Sequence, residues 1–160
     1  RGRMALVGQW ETRSVEKSYL ALVSGSLMDE EATIDAPIGR DPKNRQRMAV
    51  VRTGRSAVTH FHVIERFSDT TLLDVSIETG RTHQIRVHLA FIGHPIVGDQ
   101  LYGRARPTDP RLDRHFLHAN ALGFQLPEGE ALRLESPLPQ DLQAVLEELR
   151  ARSASFVPPV

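Results

Sequence analysis

The chain has 160 residues, with 20 Lys/Arg, 20 Asp/Glu and no cysteine. That length fits one domain or a large part of one; no apolar run is long enough to span a bilayer, and the lack of cysteine excludes a disulfide framework or a thiolate metal site and fits a reducing, cytoplasmic setting. The zero net charge hides an uneven distribution: residues 1–39 hold four Lys/Arg against six Asp/Glu, residues 40–106 eleven against six, and residues 107–160 five against eight.

The opening stretch, RGRMALVGQW, starts mid-pattern and reads as a piece whose earlier residues have been removed. Residues 3–14 read as the end of a helix, with Trp10 packing on it. EKSYLALVSG follows as a strand: Tyr19, Ala21 and Val23 face one way and Leu20 and Leu22 the other, so both faces are expected to be covered. ATIDAPI is a short strand ending at Pro37. RDPKNRQRMAVVRTGR, Arg40 to Arg55, carries six basic residues opposed by Asp41 alone, and within it RQRMAVV is expected to lead into a strand. Such a run suits a polyanion, because neutralised phosphates release counterions. The alternative is a solvated loop beside a hairpin, and the absence of an aromatic residue from the segment favours it.

SAVTHFHVIERF and TTLLDVSIE are joined by a short turn at Ser68 and Asp69 and predict an antiparallel pair. His60 and His62 share a strand face at metal-ligand spacing, but no third or fourth ligand follows at a familiar spacing, so a core or sheet-face role is expected. TGRTHQIRVH comes next, with a helix predicted over Thr82 to Ile92. At about 100° per residue, Ile85, Leu89 and Ile92 form one apolar stripe and Val87 and Phe91 another. Gly80 suits a close backbone approach at the strand-to-helix turn, and free N–H groups at the helix start suit an anion. Thr82, His83 and Arg86 point roughly one way. A half-buried guanidinium such as Arg86 needs an anion. That anion is either a ligand or substrate group, or a structural partner among Asp74, Glu78 and Asp99.

GHPIVGD then breaks the helix. HFLHANALGF and ALRLE read as strands, and PQDLQAVLEELRAR as an amphipathic helix with Leu142, Val145, Leu146 and Leu149 inward. Residues 153–160 are expected to be a flexible tail. The pattern predicts an α+β domain around a mostly antiparallel, mixed sheet with a few flanking helices.

ETGRTHQIRVHLAFIGHPIVGDQLYG, EKSYLALVSG and FLHANALGFQLP followed by SPLPQDL resemble, in sequence and in their order along the chain, the RNA pseudouridine synthases of the RluA type. The resemblance covers nearly the whole chain and places residues 1–152 as the C-terminal part of the catalytic domain. It implies a pseudouridine synthase-like fold and isomerisation of uridine in structured RNA (ribosomal or transfer RNA), with no cofactor and no metal. It implies that Tyr19 packs on the target base and is a candidate proton acceptor, and that Arg86 pairs with the nucleophilic aspartate. Ile85 would help wall the pocket. Thr82, His83, Arg81, Arg45 and Arg47 would contact RNA.

The family's H-R-L-D-x-x-T-S-G nucleophile motif is absent from these residues. Leu112-Asp113-Arg114 imitates part of it, but lies after the Arg86 segment and lacks the following Thr-Ser-Gly, so Asp113 is read as a surface residue. The carboxylate that meets Arg86 is therefore expected outside this chain, and the chain alone is expected to be inactive. A non-catalytic RNA-binding module of the same fold is the alternative. The intact protein is expected to be a monomer, and the piece to be prone to self-association.

Overall fold

The computed structural model describes residues 16–103, 112–126 and 129–155. The expected first helix and Trp10 lie outside the described residues.

The predicted strands form. With β3, which was not predicted, the strands are β1 (Glu16–Ser24), β2 (Glu31–Asp35), β3 (Ile38–Asp41), β4 (Asn44–Val50), β5 (Val58–Arg66), β6 (Thr70–Ile77), β7 (Leu117–Gln125) and β8 (Ala131–Glu135). A six-stranded sheet runs β2-β5-β6-β1-β7-β8, and every described pairing is antiparallel. Helix α1 (Gln84–Phe91) and helix α2 (Gln140–Ser155) complete the α+β domain. α2 carries Leu142, Val145 and Leu146 into the core. It also continues through residues 153–155, the start of the expected tail. The chain there has no Gly or Pro to stop a helix until Pro158.

The basic stretch is a correction. Residues 38–50 are not a loop beside a hairpin but the β3–β4 hairpin itself, turning at Pro42 and Lys43. Asp41 Oδ1 accepts the Lys43 N–H at 2.9 Å, which fixes that turn from its first residue. β4 falls where RQRMAVV was expected to lead into a strand; β3 was missed because Ile38–Asp41 shows no apolar alternation.

Cross-strand register sorts the sheet into two faces. Tyr19 opposes Val75 and Val75 opposes Phe61, so these share one face, together with Thr59 two residues along β5. Ser18 opposes Ser76, and His62 opposes Asp74, on the other. The main core gathers Ala21, Val23, Phe61, Leu73 and Val75 with Ile85 and Leu89 of α1, and with the inward residues of α2. A second, small core packs Val87 against Ile38 and Ala57, so α1 also clamps the basic hairpin.

Candidate active site

Helix α1 starts from a strained residue. His83 caps it with φ 57°, in the left-handed region that L-residues avoid. Gly80, expected at the close approach, instead faces open space. The turn is held by Gln84, which the sequence reading missed. Its Oε1 accepts from the Arg81 N–H at 3.0 Å and from Thr79 Oγ1 at 2.7 Å. Its Nε2 donates to Val58 O at 3.0 Å and Thr59 Oγ1 at 2.9 Å. One turn on, His88 Nε2 lies 2.9 Å from Ala36 O and Nδ1 lies 2.7 Å from Thr59 Oγ1. A carbonyl only accepts, so Nε2 carries the proton and Nδ1 accepts the Thr59 hydroxyl. Every polar atom of these buried side chains is thereby used. Burial pushes the His88 pKa below its ordinary value, which keeps the ring neutral.

The adjoining side of α1 carries Arg86. Its Nε donates to Asp99 Oδ2 at 2.8 Å and its Nη2 to Asp99 Oδ1 at 3.0 Å. This corrects the expectation that the carboxylate meeting Arg86 lies outside the chain. The segment after α1 folds back and brings Asp99, one of three candidate acids, onto the guanidinium. Asp99 Oδ1 also accepts the backbone N–H groups of Leu101 and Tyr102 at 3.1 and 3.0 Å. Burial alone would raise the Asp99 pKa; the Arg86 and backbone hydrogen bonds outweigh it and hold the carboxyl below its usual range. Bonding to Asp99 in turn raises the Arg86 pKa.

The Tyr102 ring lies under the guanidinium, 5.1 Å from Arg86 Cζ to the ring centroid. Its hydroxyl accepts the Met48 N–H at 3.0 Å and meets His83 Nδ1 at 2.8 Å. Burial and the neighbouring Arg86 lower the pKa of His83, and the same two causes lower that of His115. Neither imidazole therefore competes with Arg86 as a cation. Among the described residues Arg86 Nη1 has no hydrogen-bond partner, so this fixed cation keeps donors unspent.

Tyr19 sits at the centre of β1, where the register with β7 shifts: Ser18 opposes Ala121 but Tyr19 opposes Ala119. Bulges of this kind re-aim side chains. Tyr19 lies on the Thr59 face of the sheet, the face that receives the α1 hydrogen bonds. Half-burial raises its phenol pKa, so the ring is uncharged at neutral pH.

The remaining predicted residues divide. Ile85, expected to wall a pocket, is 5% exposed and packs in the main core. Arg81 Nε is used on Ser56 O at 2.7 Å, while Thr82 is exposed. Arg47 pairs with Asp41 at 2.8 Å. Lys43, Arg45, Arg52 and Arg55 are exposed, and their side chains form no ion pair among the described residues. His60 contacts Thr33 and Glu78, and His62 pairs with Asp74 at 3.5 Å, on the outer sheet face. No group of three or more potential metal ligands converges among the described residues.

Three comparisons bear on this arrangement. Residues 3–91 match the RNA pseudouridylate synthase family. An uncharacterized RNA pseudouridine synthase, YlyB of Bacillus subtilis, is 50% identical over 147 residues, covering 91% of this chain and 48% of that protein. The ribosomal large subunit pseudouridine synthase D of Nitrosomonas europaea is 51% identical over 153 residues, covering 91% of this chain and 44% of that protein. The solved structure of human RNA pseudouridylate synthase domain containing 1 superposes with a TM-score of 0.73 at 27% identity, covering 96% of this chain and 71% of that one. The chain spans about half the length of the curated relatives it matches.

Proposed function

The chain belongs to the RNA pseudouridylate synthase family, and from that premise we propose that the longer protein isomerises uridine to pseudouridine in structured RNA. In the isomerisation the C1′–N1 bond of a flipped uridine breaks, the base turns, C1′ bonds C5, and the C5 proton is replaced by one on N1. Atoms and charge balance without a redox partner, and flipping makes the base accessible to side chains that the RNA stack would exclude. The names of the relatives favour ribosomal RNA of the large subunit as substrate. A cytoplasmic location agrees with that reading, and no described helix is long and apolar enough to cross a membrane.

The observation that carries the proposal is the half-spent guanidinium. Asp99 and Tyr102 hold Arg86 in one orientation, and Nη1 still has donors for a second anion. We assign that anion to a nucleophilic aspartate contributed by the longer protein from outside residues 1–160. Paired with Arg86, such a carboxylate stays ionised and aimed. Tyr19, uncharged and on the α1 side of the sheet, suits packing on the base better than removing a proton as a phenolate. Lys43, Arg45, Arg52 and Arg55 supply exposed cations for phosphates.

Release of tritium from RNA carrying 5-tritiated uridine tests the reading. The full-length protein should release it and the 160-residue chain alone should not. Turnover by the chain alone would place the nucleophile within it, and no release by the full-length protein would favour the non-catalytic RNA-binding module.

A further inference from the structure

We infer that the cleft between β4 and α1 is a nucleobase-stacking subsite, in which the ring of Phe91 receives a base of the RNA other than the reacting uridine. The inference rests on the RNA reading above and adds a contact surface to it. The basic run from Arg40 to Arg55 has no aromatic residue of its own. The fold supplies one. Val87, Ala90 and Phe91 share a helix face at i, i+3 and i+4, and they line a cleft of about 290 Å3 with Met48, Ala49 and Val50 of β4.

Phe91 shares an apolar stripe with Val87, but it is 59% exposed, while Val87 is 4% exposed. Among the described residues it is the one aromatic side chain in the set of exposed large apolar residues. The cleft lies at the lower edge of small-ligand sites, roughly 300 Å3. It suits one planar heterocycle better than a peptide segment. Its lining also includes Asp41, Arg47 and Tyr102; Asp41 and the Tyr102 hydroxyl are engaged within the chain, while Arg47 keeps Nη2 as a donor for a base edge. The same hairpin presents Lys43 and Arg45, which form no ion pair among the described residues. An open aromatic face beside exposed cations is the pairing by which proteins hold unstacked nucleotides, the cations on phosphate and the ring on the base.

The test uses the full-length protein with Phe91→Ala, Phe91→Leu and Phe91→Trp, and in-vitro-transcribed large-subunit ribosomal RNA as the probe. Phe91→Ala and Phe91→Leu should each weaken binding by roughly five- to 100-fold, the loss expected for one stacked base. Phe91→Trp should bind like wild type. The dependence of affinity on salt should not change, because no phosphate contact is removed. Wild-type affinity in Phe91→Ala overturns the inference. Full rescue by Phe91→Leu also overturns it, since an aliphatic side chain does not stack. Unchanged RNA affinity with a lowered melting temperature in Phe91→Ala would overturn it too, and would mean that the ring is covered by another part of the protein. Failure of the RNA reading itself looks different: the wild-type protein would then show neither salt-dependent RNA binding nor tritium release, and the subsite would fall with it.

Discussion

Two sides of the eight-residue helix α1 treat their polar groups in opposite ways. On one side Gln84 and His88, one turn apart, are 3% and 0% exposed, and their hydrogen bonds run to Thr59, Val58, Thr79 and Ala36. On the other, His83 and Arg86 are partly exposed, and Arg86 keeps Nη1 in reserve. A closed network fixes a position, because each lost partner strands a buried group. An open one can accept a further ligand. The same short stretch thus holds its own frame rigid while leaving one cation ready for use.

Separating the two sides experimentally is straightforward, and the largest effect belongs to the open one. In the full-length protein Arg86→Ala should lower turnover by about 100- to 1,000-fold, the loss typical for removing one preorganised charge-stabilising donor, as read by tritium release. Arg86→Lys should rescue little, because an ammonium cannot span both Asp99 oxygens.

Next comes Asp99→Asn, which leaves the guanidinium beside a neutral amide. Breaking a buried pair costs about 3 kcal/mol, measurable by urea denaturation. Its turnover should fall further than unfolding alone explains, since Arg86 also loses its orientation.

On the closed side, His88→Phe strands the Thr59 hydroxyl and the Ala36 carbonyl. It should cost about 2 kcal/mol of stability, while turnover per folded molecule stays near wild type. A large loss of turnover in folded His88→Phe would erase the distinction between the two sides.

The smallest effect is a pH dependence. His88 has a folded pKa below its unfolded value of about 6.5. Above that value neither state binds the proton. Below it the unfolded chain takes up a proton that the folded ring refuses, so stability falls as pH drops from about 6.5 toward the folded pKa. The slope is at most about 1.4 kcal/mol per pH unit for this group, and denaturation midpoints between neutral and mildly acid pH would register it.

The closed side explains what could be read in the sequence. Strands with alternating or β-branched residues, and the Ser68–Asp69 turn, were legible because one local pattern decides each of them. β3 was not, because Gly39, Arg40 and Asp41 offer no alternation and the strand exists through its pairing with β4. Arg86 was identified, and Asp99 stood among three acids, but nothing local distinguished it. The decision comes from the return of the chain after α1 and from the Leu101 and Tyr102 N–H groups that hold the carboxylate. An aspartate placed two and three residues before such amides is a signal worth weighing. The use of Gln84 was invisible for a related reason: two of its partners, Val58 and Thr59, lie on a separate segment of the chain.

The strand order has a further consequence for how the chain assembles. β1 is an interior strand whose two neighbours, β6 and β7, are made later. Its Tyr19 meets Val75 on one flank and Ala119 on the other. At roughly 5–20 residues per second of synthesis, that second flank stays bare for at least several seconds after Tyr19 is joined to the nascent polypeptide. During this interval the ribosome exit region and the chaperones around it are the available shelter for a half-zipped sheet.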